Sequence, residues 1–533
     1  MIRRFIVITL SIIIWSCSSS KKENKDHLVF RYNEHKNIGS LDPAFAKDNA
    51  DIWAVNQLFN GLVEMDDSLN VIPSIAKRWD ISSDGLQYTF TLKNNVYFHK
   101  HKLFKNNTRA VKAQDFEYSF NRILDPKVAS SGQWVFNKVK DFNAKNDSTF
   151  IIQLKQPFPA FLGLLTMKYC SVVPKEIVTH YGSNFRSNPI GTGPFKFKRW
   201  EENIKLVLRK NNNYFETDKN GTQLPYLEAI AITFLPDKQS EFMQFTQGNL
   251  DFLNSLDASY QDEILTTKGD LRSKYQSTVN VIKGPYLNTE YLAFFLDSEK
   301  DEILSKTIRE AINYGFDREK MITYLRNGIG IPANGGFIPK GLPGYSTTNG
   351  FTYNPEKAKQ LVNNYKATTN KQPEVTITTT GNYLIFCEYI QRELTKIGLT
   401  VNVDVIPAST LKEGKANGKL DLFRASWVAD YPDAQNYLSL FYGENFAPNG
   451  PNYTHFYNAT YDSLYTSSFL KSDINQREQI YKTLDSIIID HAPIVPLYYD
   501  EVIRFTRKNI KGLGSNPINL LQLKRVKKIK DEA

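Results

Sequence analysis

Cysteine and histidine are scarce, with three and seven residues in a chain of 533. So few thiols exclude a disulfide scaffold, and no Cys-x2-Cys pair is present for a zinc site. Long apolar runs are scarcer still. One exists, Phe5 to Trp15 interrupted by Thr9 and Ser11, and it falls short of the about 20 residues that span a bilayer, which excludes a membrane bundle. Also missing are the Gly-x4-Gly-Lys-Ser/Thr phosphate loop, the His-Glu-x2-His zinc motif and the Gly-x-Ser-x-Gly elbow, so a common hydrolase is not indicated. Nor does one sign of charge dominate. Sixty-six Lys and Arg against 56 Asp and Glu give a formal net charge of +10, and the only dense basic run is Lys524 to Lys530 (KRVKKIK). Nucleic acid is therefore disfavoured as a partner, and the run, which alternates like a strand, reads as one solvated strand face.

The few chemically active side chains are dispersed. His99 and His101, as alternate strand residues, have metal-binding spacing, but Lys100 and Lys102 repel a cation. A solvated strand end is expected there, with no metal and no cofactor. Gly328-Ile329-Gly330 lacks the helix start of a dinucleotide site and reads as a turn. Cys387 lies on the helical stripe Tyr383, Phe386, Ile390, Leu394, Ile397, and Cys170 lies in the apolar stretch Tyr169 to Val173. Two buried, unpaired thiols are expected.

The chain is rich in aromatic residues, with 34 Phe, 29 Tyr and 6 Trp, which excludes a disordered polar chain. At this length about three domains are expected. Strand-like and helix-like stretches interleave throughout, which makes this a mixed α/β chain. Strands are predicted at His27 to Tyr32, Gln87 to Leu92, Phe150 to Leu154, Lys205 to Leu208, Ala229 to Phe234, Tyr291 to Leu296, Glu374 to Thr379, Thr400 to Ile406 and Pro493 to Tyr499. Helical spacing marks Asp301 to Tyr314, Asp317 to Arg326, Pro355 to Tyr365, Tyr383 to Ile397 and Ile474 to Ile489.

Arg3 and Arg4, the apolar stretch and Ser16-Cys17 have the layout of a secretion signal. The segment resembles the lipobox of bacterial lipoproteins, in which the cysteine, here Cys17, is acylated and becomes the new N-terminus. Ser18 to Asp26 then reads as a hydrophilic tether.

One stretch concentrates charge among strand formers: Asp421 to Asp433 (DLFRASWVADYPD). Its apolar and β-forming residues run up to a Tyr-Pro break, so Arg424 should lie on a strand ending near Asp430. Arg424, Ser426, Val428 and Asp430 share parity and thus one face. Extended, the six-residue step spans about 20 Å, a gap that a zwitterionic ligand a few residues long could bridge. The alternative is that Arg424 and Asp430 each pair with an unrelated neighbour.

At this point the chain resembles the peptide-class solute-binding lipoproteins of ABC importers, extracellular solute-binding protein family 5. The resemblance runs from about Leu28 to Lys524, and its pieces fall in family order. They are Ser40 to Pro43 (SLDP), Leu58 to Leu62 (LFNGL), Pro73 to Trp79 (PSIAKRW), Lys112 to Phe120 (KAQDFEYSF), Ile190 to Phe195 (IGTGPF), Ala311 to Arg318 (AINYGFDR), Ala429 to Asp433 (ADYPD) and Asp490 to Tyr499 (DHAPIVPLYY).

The resemblance implies a two-lobed α/β clamp, a periplasmic binding protein fold with an extra subdomain in the first lobe. Residues 1–16 would be the signal peptide and 17–27 the tether. Residues 28–59, 190–284 and 499–533 would build the main part of lobe one, 60–189 its extra subdomain and 285–498 lobe two, with chain crossings near Gly284-Pro285 and Tyr498 to Asp500. It further implies a monomer, lipid-anchored in the cell envelope and facing the periplasm, that delivers short peptides to an ABC permease of the inner membrane without catalysis. Asp430 would hold the peptide amino group and Arg424 the carboxylate of a short peptide. The backbone around Ser426, Trp427 and Val428 would pair with the ligand as an added strand, and Lys47, Asp48 and Asn49 would supply a second edge.

The sequence departs from the family at Phe98 to Thr108, a longer insertion, and near Asn382 and Ala408, which bears on peptide length. Other members bind oligosaccharides, haem or nickel chelates. The reading from another class is an exported lipoprotein peptidase or cell-wall hydrolase, whose nucleophile-base pair or metal cluster is not found in the sequence.

Overall fold

The computed structural model describes residues 28–255, 258–471 and 473–530; Cys17 and the segment before it lie outside them. An 11-stranded mixed sheet runs through the centre. Ten of its strands are β1 (Val29–Asn33), β2 (Phe195–Glu201), β3 (Lys205–Lys210), β4 (Ala229–Thr233), β5 (Phe252–Asn254), β6 (Val279–Phe294), β7 (Glu374–Thr379), β8 (Thr400–Val405), β9 (Leu422–Val428) and β10 (Ile494–Arg507). They lie in the order β8-β7-β9-β6-β10-β5-β1-β4-β3-β2.

Alternation explains the local choices. In β1 the alternate residues Phe30 and Tyr32 are buried, and Tyr32 packs against Trp53 and Phe252 with ring centroids 6.3 and 6.1 Å away. Trp53 comes from helix α1 (Asn49–Leu58), so this core closes around β1. A separate four-stranded sheet, in the order Ala76–Ile81, Gln87–Leu92, Thr149–Leu154, Val139–Asn146, is covered by the helix Ala113–Leu124. Phe116 and Phe120 of that helix meet Phe150 at 5.9 and 5.5 Å. In the second lobe β7, β8 and β9 extend the sheet, and Cys387 is buried among Phe386, Ile390 and Leu394, as the stripe predicts. Cys170 and Cys387 are both free and buried.

β6 and β10 are the longest strands, at 16 and 14 residues. They pair antiparallel over most of their length, with register shifts between Pro285 and Thr289 and between Glu290 and Tyr291. Beyond the sheet, segments far apart in sequence also touch: Phe158 meets Tyr431 and Phe469 at 6.2 and 5.9 Å.

The structure corrects three readings of the sequence. The helix expected over Asp301 to Tyr314 is two, Asp301–Leu304 and Lys306–Tyr314, because Ser305 between them is extended and stands at the N-cap position of the second without a side-chain bond to it. Arg309 bridges the break by donating to the Ile303 carbonyl at 3.0 Å.

His99 is not a solvated strand end. It is buried, its Nε2 lies 3.0 Å from the Gly193 carbonyl, and desolvation pushes its pKa down to about 4. It thereby fastens the IGTGP loop. A Cβ on Gly191 would lie 2.1 Å from the Leu58 carbonyl oxygen, and one on Gly193 2.4 Å from the Leu58 carbonyl carbon, so the loop reaches the end of α1 only with glycine at both positions.

The basic C-terminal run is not one solvated face either. Lys524 is buried between Glu64 and Glu216 at 2.6 and 2.9 Å, and Lys528 pairs with Asp251 at 2.8 Å.

Candidate functional site

β9 carries the charged stretch and ends at Val428, two residues before Asp430. Arg424, Ser426 and Val428 alternate with the buried Phe423 and Ala425, and Val428 is 43% exposed. On one side β9 pairs with β6 throughout, Arg424 opposite Leu292, Ser426 opposite Glu290 and Val428 opposite Asn288. On the other side it pairs with β7 only at Leu422 and Phe423. From Arg424 onward that edge has no strand partner among the described residues. The Tyr437 hydroxyl donates to the Trp427 carbonyl at 3.1 Å; otherwise such an edge suits an added strand.

Asp430 follows the strand, and no basic side chain pairs with it among the described residues. Asn436, on the short helix Gln435–Leu438, fixes it from both directions. The Asn436 amide donates to the Asp430 carboxylate at 3.2 Å, while its oxygen accepts from the Asp430 backbone N–H at 3.2 Å and from Trp427 Nε1 at 2.8 Å. Asp430 is exposed, yet the protein packed around its carboxylate desolvates it and raises its pKa above the ordinary aspartate value, with the Asn436 bond opposing the rise.

Arg424 is different. Its guanidinium donates to Glu290 through Nε at 3.0 Å and through Nη2, and its carbon lies 3.4 Å from the centre of the Tyr383 ring. Only 14% of the Arg424 side chain and 4% of the Glu290 side chain is exposed. The network continues along the same face. Asn288 donates to Glu290 at 3.1 Å and to Asp500 at 3.3 Å, and Arg326 pairs with Asp500 at 2.6 Å while lying over the Tyr498 ring at 4.2 Å. Antiparallel neighbours share a face, and long side chains reach diagonally across it.

Sequence reasoning missed Glu290. Its signal was a lone acid directly before the apolar run Tyr291 to Leu296, since an acid drawn into a buried strand needs a partner.

Lys47 and Asp48 lie on the exposed loop entering α1, and Asn49 is the first residue of that helix. Lys47 and Asp48 line a cleft of about 1070 Å³ with Asp42, Asp51 and Arg122. The Asn49 side chain lies close to Tyr286 of β6, which brings the start of α1 to the strand that neighbours β9. Among the described residues no group of three His, Cys, Asp or Glu is placed to hold a metal ion, and no helix is long and apolar enough to cross a membrane.

Comparison with known proteins gives this arrangement a family context. A family model described as bacterial extracellular solute-binding proteins, family 5 Middle, matches residues 70–449. A probable di/tripeptide-binding protein 5 from Pseudomonas aeruginosa is 27% identical over 88% of this chain and 89% of its own. Among solved structures, HbpA2 from Haemophilus parasuis superposes with a TM-score of 0.83 at 24% identity, covering 94% of this chain and 100% of that one. The periplasmic binding protein DppA from Helicobacter pylori, in complex with the peptide STSA, gives a TM-score of 0.74 at 24% identity, covering 93% and 97%. The two-lobed clamp is thus the fold of this chain.

Proposed function

The chain belongs to the bacterial extracellular solute-binding proteins of family 5, and we propose that it captures short peptides between its lobes and hands them to an ABC permease of the inner membrane, catalysing no reaction. The observation that carries this reading is Asp430, a carboxylate held in place by a neutral amide and lacking a cation, at the end of a strand whose outer edge is open. A peptide supplies both missing parts, an ammonium for Asp430 and a backbone for the edge at Ser426, Trp427 and Val428. The loop Lys47 to Asn49 would close over the ligand from the first lobe. The lobes would hinge near Gly284-Pro285 and Tyr498 to Asp500, a reading supported by the register shift that separates Pro285 from Thr289. Acylation at Cys17 would tether the protein to the envelope, and Cys17→Ser should release it from membranes.

The test is mass spectrometry of ligand co-purified with the protein from the envelope, followed by incubation of the stripped protein with a peptide library. Short peptides should be found, bound and uncleaved. Capture of haem, a nickel chelate or an oligosaccharide in their place would sink the peptide reading, and product in excess of protein would favour the peptidase.

A further inference from the structure

The protein supplies Arg424 with its own counter-ion. Glu290 receives two of the guanidinium's donors, Tyr383 covers its face, and both charged groups are almost withdrawn from water. The next cation on this face, Arg326, is engaged by Asp500 at 2.6 Å, and Asn288 links the two acids. Within this network two cations and two anions cancel; among the described residues Asp430 has no ion-pair partner, and nearby Lys415 has none either but lies over the Tyr453 ring at 4.5 Å.

Resting on the peptide reading above, we propose that Glu290 sets the ligand class: the cleft selects for a free amino terminus and does not use a free carboxyl terminus. A ligand carboxylate brought to Arg424 would meet the Glu290 carboxylate where water is too scarce to screen the repulsion. It could replace Glu290 as the counter-ion only by displacing it, yet Glu290 is held by Asn288 and its side chain is 4% exposed, so a second carboxylate could reach only Nη1 and would sit beside the first. Arg424 Nη1 has no hydrogen-bond partner among the described residues, and with its charge already compensated it suits a neutral carbonyl oxygen better than a second anion. Ligands that present a peptide carbonyl or carboxamide at that point fit: peptides longer than the gap, and peptides whose carboxyl end is amidated or otherwise masked.

The experiment offers wild type and Glu290→Gln an equimolar library of di-, tri- and tetrapeptides in free, C-amidated and N-acetylated forms, with captured peptides counted by mass spectrometry. Wild type should take free and amidated forms within about threefold of each other, and reject acetylated forms by about 30-fold or more. Glu290→Gln keeps the shape and the Asn288 contact while releasing the charge of Arg424, and should favour free acids over amides by about tenfold or more. A wild type that already prefers free acids by about tenfold overturns the inference. So does a Glu290→Gln ratio equal to that of wild type. Should that variant fail to fold, the wild-type ratio alone decides. Acetylated forms captured as well as free ones would instead strike the peptide reading, so the two failures are distinguishable.

Discussion

Arg424 and Asp430 stand six residues apart on one strand and its exit, and the protein treats their charges in opposite ways. Arg424 is packed under a tyrosine ring and paired with a buried glutamate, so folding itself completes it. Asp430 is steadied by Asn436, which orients the carboxylate without neutralising it. A walled charge without a partner opposes folding, and it persists where something outside the chain completes it. In a binding cleft the missing partner is therefore more informative than the charge.

The contrast breaks most visibly at Glu290. Glu290→Ala strands the guanidinium of Arg424 without its counter-ion, and the unfolding free energy should drop by about 3 to 5 kcal/mol. Denaturant unfolding reads this directly; a loss below about 1 kcal/mol would mean that Arg424 never depended on Glu290.

At Asp430 the effect moves from stability to binding. Asp430→Ala should weaken peptide binding by about 2 to 5 kcal/mol, roughly 30-fold to several thousand-fold. Acetylating the ligand should cost little more on that variant, because both changes remove one interaction. Calorimetric titration of free and acetylated forms of one peptide closes the cycle, and full additivity would show that Asp430 does not hold the amino group.

The smallest effect sharpens the comparison through pH. The pKa of Asp430 is raised in the fold, so the protein binds that proton more tightly folded than unfolded, and stability declines as pH rises through the raised pKa. Binding of an ammonium has the opposite sense: it needs the ionised form and fades as pH falls through the same range. Asp430→Asn should remove the titration from both curves while changing stability at neutral pH by no more than about 0.5 kcal/mol.

Much of this arrangement was legible. Alternation and the Tyr-Pro break located β9 and its exit, and helical spacing placed Cys387 in a core, because both patterns depend on the periodicity of a single element. What escaped depends on a second element. His99 and Lys524 read as solvated because polar side chains next to charges usually are, and nothing nearby in sequence announces the Gly193 carbonyl or Glu64 and Glu216. The pairing of Arg424 with Glu290 spans 134 residues, and only the sheet register brings the two strands side by side. Ser305 broke a helix whose apolar spacing was continuous, since periodicity reports the buried face and not where one residue turns extended.

The burial of Lys524 has a consequence in time. Lys524 meets Glu64 from 460 residues away, and nearby Trp53 donates to the carbonyl of Asn519 across 466. At about 5 to 20 residues per second of synthesis, α1 would wait roughly 20 to 90 s for the segment that covers it. These contacts join a segment made early to one made 460 or more residues later. A chain whose family works outside the cytoplasm thereby keeps α1 uncovered until the segment from Asn519 to Lys524 has been made.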